Sequence, residues 1–446
     1  MHAEALRSSI PTIRSGAVTV RDLFAASLIA ADPTAFTARA VRLRLPVERS
    51  QARPSWIIAL GKAAHTMARA AVHELEQRST PIAGGLIVGP SVAEVPHAAL
   101  VAMAGNHPLP GERSLAASRA LADLCDRVRG GDRVFVLLSG GATSLVAAPV
   151  DGISAADLTE LFDVLIRSGL DIGRVNSVRK RFLRWGAGRL AAQLAPARIE
   201  LIALSDVIGD NLAHIGSGPC VPDPTTAVDV RRLLDEADLA HRVPKPLLQY
   251  LDAVMHGERL ETPKSDAPAF LFAGVPAVQG NSGVLDAGAL RARVLGFDPV
   301  VIVSEPLHGE AAHAGTRVAS AAMALPRGGV ALWGGETTVT LGTSAIPGGR
   351  CQEMMLAASI TLAEAGHGAS GITLLAAGTD GRDGPTDSAG AIVDGSAVGR
   401  MMEAGVDPVN ALLRHDSHEA LHLAGALLKT GLTGTNVGDV VIAVRL

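Results

Sequence analysis

The chain has 446 residues, of which 48% are hydrophobic and 19% charged, and its net charge is −4. This excludes a disordered chain and the basic footprint of a nucleic-acid binder, and leaves enough apolar material for two domains acting on small molecules. The three cysteines, Cys125, Cys220 and Cys351, form no Cys-x-x-Cys pair, so neither zinc nor a disulfide framework is indicated and a cytoplasmic location is expected.

The elements follow one plan along the chain. Trp56–Leu60 is predicted as a buried strand, followed by Gly61 and a helix over Lys62–Arg78 with apolar residues at Ala63, Met67, Ala71 and Leu75. Asn106-His107-Pro108 reads as a turn, with His107 either a satisfied structural histidine, the favoured reading, or a residue touching ligand. Val134–Leu138 is a second strand, leading into the small-residue loop Ser139–Ser144. The uncharged stretch Val134–Val150 is broken by Gly140, Gly141 and Pro149 and is too short for a membrane span. Ser154 and Asp157 form a capping box that opens a helix ending near Gly169. Ile199–Leu204 is a strand ending on Ser205-Asp206. The polar stretch Asp252–Pro268 marks a boundary between domains 1–262 and 263–446. Val300–Val303, Val330–Trp333 and Ile372–Ala377 continue the pattern. Continuous apolar strands alternating with helical periods predict an α/β protein of parallel sheets covered on both faces, with ligands beyond the strands' carboxyl ends.

Several residues at those ends carry chemistry. Lys62 stands at a predicted helix start, where a cation is misplaced unless an anion shares the site; a solvated lysine is the rival reading. Arg350 repeats the pattern after Gly348-Gly349, with a salt bridge to Glu353 as its rival. At such helix starts neither cation is expected to matter much for stability. Backbone and hydroxyls at Ser139, Gly140, Gly141 and Ser144 suit a phosphate or carboxylate. Asp206 suits proton acceptance from a hydroxyl or a metal, or else caps the next helix. Asp380, Asp383 and Asp387 in one glycine-rich loop suit Mg²⁺, although Asp and Gly are also ordinary turn formers. Arg179 and Lys180 suit a carboxylate clamp, or a solvated helix face.

Taken in order, LGKAA (60–64), GNHPLP (105–110), LSGGATS (138–144), NSVRK (176–180), SDVIGDNLAHIGSGP (205–219), GGETTV (334–339), GGRCQE (348–353), GTDGRDGPTDSAGA (378–391) and TGTNVGD (433–439) resemble the class II glycerate kinases, glycerate 2-kinases with a C-terminal MOFRL domain. The resemblance covers nearly the whole chain. It implies a Rossmann-like N-terminal domain, a smaller α/β C-terminal domain, an active site in the cleft between them, and ATP with Mg²⁺. By position Lys62, Asp206 and Arg350 match the family's principal catalytic residues. The remaining matches point to Ser139, Gly140, Gly141, Ser144, Arg179 and Lys180 for the acid substrate. For the nucleotide they point to Gly334, Gly335, Glu336, Thr379, Asp380 and Gly381, and for metal to Asp380, Asp383 and Asp387. The chain departs from the family pattern at Ala142-Thr143, Arg181, Trp185-Gly186-Ala187 and Cys351. The first three were expected near the acid, which leaves a related sugar acid as an alternative substrate. Members of the family have also been labelled NAD(P)-dependent hydroxypyruvate reductases, but the one dinucleotide-like pattern, Gly186-x-Gly188-x-x-Ala191, does not follow a strand. A regulatory module without catalysis is the third class. An oligomer is possible.

Overall fold

The computed structural model describes residues 15–45, 53–341 and 347–446. It divides into two compact units, residues 33–278 and residues 279–446 together with 1–32. The division therefore falls after residue 278 rather than 262, and the first helix belongs with the second unit. Residues 263–278 stay with the first unit because they finish its sheet and its covering. Phe270 packs on that unit's core, and Gly274 N–H donates to Ile199 O at 2.8 Å. The helix Gly16–Ala30 leaves because its apolar face packs elsewhere: Ser27 donates to Val284 O at 2.8 Å.

The strands of the first unit are β1 (Ser55–Leu60), β2 (Ile82–Gly89), β3 (Leu100–Ala104), β4 (Arg133–Leu138), β5 (Arg198–Leu204) and β6 (Ala277–Gln279). They form one sheet in the order β3-β2-β1-β4-β5-β6, with β1 parallel to β2 and β4, β2 to β3 and β4 to β5. This is the doubly wound order, whose switch point lies between β1 and β4. Every residue of β1 is buried, as the continuous apolar run requires of a strand covered on both faces. Leu60 pairs with Leu138, so both strands leave the sheet at one level. The predicted capping box holds: Ser154 and Asp157 cap the helix Ala155–Ile166 reciprocally.

The second unit contains β7 (Val300–Ile302), β8 (Gly329–Gly335), β9 (Ile372–Gly378), β10 (Gly390–Asp394), β11 (Leu427–Leu428) and β12 (Asp439–Arg445), ordered β11-β10-β9-β12-β8-β7. Only β7 and β8 pair in parallel; β12 runs antiparallel to both β8 and β9, and β10 to β9. The expectation of a parallel sheet fails here for a physical reason. A continuous apolar run reports burial on both faces, not strand direction. Alternate residues Ala331, Trp333, Leu374, Ala376, Val441 and Ala443 meet the helices Ala311–Ala324 and Arg350–Ala365. The opposite face takes the helices Gly16–Ala30 and Asn281–Val294, where Gly288 lies against Leu332 and Gly16 against Thr373. Among the described residues no helix is long and apolar enough to cross a membrane.

Candidate active site

At the switch point of the first sheet the turns after β1 and β4 are laced together. Ser139 N–H donates to Leu60 O at 2.9 Å, Lys62 N–H to Gly140 O at 2.9 Å, and Ala63 N–H to Ser139 Oγ at 3.0 Å. Such close approach requires Gly61, whose φ is +125° and whose missing side chain would collide with Ser139. The helix begins at Ala64, so Lys62 lies on the turn before it rather than inside it. Its side chain is exposed and forms no ion pair or hydrogen bond among the described residues.

Asp206, two residues beyond β5, reaches the same place. A side chain at Gly140 would collide with its carboxylate. Asp206 keeps access to solvent, yet the backbone packed around it removes enough water to raise its pKa; Lys62 and His107 pull the other way. His107, expected to be structural, completes the group. Its Cδ2 lies 2.9 Å from where a Gly141 Cβ would be, with Lys62 Cγ at 3.5 Å from the same point. Desolvation, then Lys62, lowers the His107 pKa, which keeps the ring neutral at pH 7. The sequence signal available for it was the fixed Asn-His-Pro turn, whose Asn106 Oδ1 accepts from Arg113 N–H at 3.0 Å and anchors the loop. The amides of Gly140 and Gly141 donate to nothing among the described residues. Lysine, two unengaged N–H groups, a raised carboxylate and a neutral imidazole thus meet on one rim, an arrangement suited to an anion beside a hydroxyl.

Other expected residues lie differently. Ser139 and Ser144 are buried, and Ser144 Oγ donates to Gly141 O at 3.3 Å, so both shape the loop rather than face solvent. Lys180 is fully buried with Nζ 2.7 Å from Asp223, and cannot clamp a substrate carboxylate. Arg181 is equally buried between Asp223 and Glu261. Arg179 is half-buried over the Phe162 ring at 5.1 Å, with one bond to Asn176 and no carboxylate partner among the described residues; burial pushes its pKa down to about 10. Trp185 donates to Ser118 Oγ at 2.6 Å inside the core. Arg181 and Trp185 therefore serve the protein interior, not a ligand.

In the second unit Arg350 opens the helix Arg350–Ala365, as predicted, but does not pair with Glu353. Its Nε lies 2.6 Å from Asp439 Oδ2, its Nη2 3.0 Å from Asp439 Oδ1, and its Nη1 2.7 Å from Glu336. Burial works to lower its pKa, but the Asp439 carboxylate outweighs it and the net shift is upward. Glu353 binds His415 Nδ1 at 2.9 Å instead. Gly334 and Gly335 lie inside β8 against Asn281 and Leu307, and Thr379 Oγ1 donates to Gly438 O at 2.7 Å; all three are structural. Glu336 is exposed and Asp380 half-buried, whereas Gly381 is buried against Gly431 and is structural too.

The three aspartates do not form a metal site. Asp383 accepts from Cys351 N–H at 3.1 Å and Gln352 N–H at 2.8 Å, capping the Arg350 helix; Asp387 pairs with Lys429 at 2.8 Å; Asp380 accepts from Arg382 N–H at 2.9 Å. Among the described residues no three acidic, histidine or cysteine side chains converge as a metal would need. The set does not fit Mg²⁺.

Residues 19–252 match the domain of unknown function DUF4147, and residues 329–439 match the MOFRL family. The chain is 37% identical to the glycerate 2-kinase of Pyrococcus horikoshii over 87% of each chain. It is 36% identical to the D-glycerate 2-kinase of Thermotoga maritima over 86% of this chain and 89% of that one. The crystal structure of the T. maritima glycerate kinase superposes with a TM-score of 0.80 at 32% identity, covering 96% of this chain and 99% of that one. This chain belongs to the glycerate 2-kinase family. It is a kinase, and so needs a phosphoryl donor as well as an acceptor. The Gly186-x-Gly188-x-x-Ala191 pattern of the reductase alternative follows a 3₁₀ turn and runs into the helix Arg189–Leu194, without the strand a dinucleotide site requires.

Proposed function

We propose that this glycerate 2-kinase relative transfers the γ-phosphoryl group of ATP to the C2 hydroxyl of D-glycerate, giving 2-phosphoglycerate and ADP. The observation that carries the reading is the meeting of Lys62, Asp206 and the free Gly140 and Gly141 amides at the switch point of the first sheet. Phosphoryl transfer asks a protein chiefly for positioning and for positive charge against the transferring oxygens. Lys62 and the two amides supply that charge. Asp206 orients the acceptor hydroxyl and takes its proton as the new P–O bond forms and the bond to ADP breaks. A raised pKa makes Asp206 a better base than an ordinary carboxylate. Neutral His107 offers a hydrogen bond to the acid without competing for the proton. Arg350 contributes a second cation and Arg179 a partner for the substrate carboxylate. Magnesium enters with ATP as part of that substrate. The three cysteines are buried free thiols, in keeping with a reducing cytoplasm.

A panel of small hydroxy acids assayed for ATP consumption tests the reading. D-glycerate should be turned over fastest. Preference for another sugar acid would move the substrate, and nicotinamide oxidation with hydroxypyruvate in place of ATP use would replace the reaction.

A further inference from the structure

The first sheet has a second charged pole. Arg133 and Arg198 open β4 and β5, at the strand ends away from Lys62 and Asp206. They are register partners on adjacent parallel strands, so both side chains stand on one face, and Glu200, two residues on, shares that face. Arg44, just past the helix Pro33–Arg42, reaches the same carboxylate.

Three guanidinium groups thus share one carboxylate, itself 2% exposed. The sharing is unequal. Arg198 Nε donates to Glu200 Oε1 at 2.6 Å. Arg44 Nε lies 3.4 Å from Oε2, and its terminal nitrogens donate to Ala40 O at 3.0 Å and Val275 O at 2.7 Å. Arg133 is left with the remainder: its Nε is 3.9 Å from Oε1, and its side chain donates no hydrogen bond among the described residues. That side chain is only 15% exposed. Burial lowers its pKa against the pull of Glu200, and Arg198 adds to the fall. A cation with so little water and so small a share of a carboxylate is costly unless another anion joins it. The place for one is open. Only the Nε of Arg133 is shut off from solvent, while its terminal nitrogens are not, and Arg198 beside it is 60% exposed.

We propose that Arg133 and Arg198 hold a phosphate dianion, free or as a monoester, at the pole of the first sheet opposite Lys62. After Glu200 is counted, the three arginines leave two positive charges, which a dianion cancels. Two guanidinium forks on one face suit phosphate oxygens, which accept paired N–H bonds. The site needs nothing from the kinase reading.

The Lys62→Ala protein, whose other anion-binding rim is weakened, isolates this site. Calorimetric titration with orthophosphate should show one equivalent bound, and phosphate should raise the unfolding temperature more than chloride does at equal ionic strength. In that background Arg198→Met, at an exposed position, should weaken phosphate at least about tenfold. Arg133→Lys keeps the charge but loses the fork, and should weaken it about 3–10-fold. Glu200→Gln removes the competing carboxylate and should tighten it. Glycerol 2-phosphate bound more tightly than orthophosphate would assign the site to a phosphorylated metabolite, and the reverse order to free phosphate; both orders uphold the site. No phosphate bound by the Lys62→Ala protein, an affinity unchanged in both arginine variants, or a thermal shift that chloride reproduces would overturn it.

Discussion

Lys62 and Arg350 occupy parallel positions, each a cation on a glycine-led turn running into a helix at the rim of a buried sheet. Their surroundings are opposite. Lys62 is exposed and unpaired among the described residues, with its neighbours packed against glycines. Arg350 is held by both oxygens of Asp439, itself 4% exposed, and by Glu336. A loose cation adds nothing to the fold and keeps its whole charge for a ligand. A clamped cation is positioned in advance but also neutralises a buried carboxylate. The two should therefore separate function from stability differently, with Lys62 dispensable for stability and Arg350 not.

The largest effect should come from Lys62→Ala, which should lower turnover by about 10²–10³-fold, the cost of losing one preorganised charge donor, with an unchanged unfolding temperature. Steady-state kinetics beside a thermal melt checks both halves. Asp206→Asn should lower turnover about 10²-fold and also alter the pH profile. Because the raised pKa belongs to a group that acts when deprotonated, wild-type kcat should fall on the acid side at a higher pH than an ordinary aspartate would set. That limb should vanish in Asp206→Asn. If it persists, another group titrates.

Arg350→Ala should lose turnover and also about 2–3 kcal/mol of stability, because Asp439 is left buried and unpaired. The double variant Arg350→Ala with Asp439→Ala should regain much of that stability and none of the activity. Recovery of activity would show that Arg350 is only a partner for Asp439. The smallest effect concerns Asp383, whose pKa burial pushes up to about 6. With the native carboxyl raised above its unfolded value, its contribution to stability is present at low pH and is lost as pH rises through about 6. Asp383→Asn should flatten the stability curve across that window, as read by chemical denaturation at several pH values.

The sequence made one rim legible and blurred the other. Strand, small residue, then charge is a local pattern, and it exposed Lys62 and Asp206 with the order of strands still unknown. Lys180 reads in sequence as a clamp for a substrate carboxylate because the carboxylate it actually neutralises, Asp223, comes from a distant loop that only folding brings near. Asp383 looked like a metal ligand because its true partners, the amides of residues 351 and 352, belong to another segment. His107 was underrated because nothing local reveals that its ring packs on Gly141. The direction of the second sheet was invisible because burial on both faces writes the same run whichever way a strand points.

The identity of the product tests the central claim most directly. With ATP, magnesium and D-glycerate, phosphorus NMR of the reaction should show 2-phosphoglycerate growing as ATP is consumed, about 10²–10³-fold more slowly when Lys62→Ala replaces the wild type. A 3-phosphoglycerate signal, or ATP left intact with every small hydroxy acid, would contradict the account.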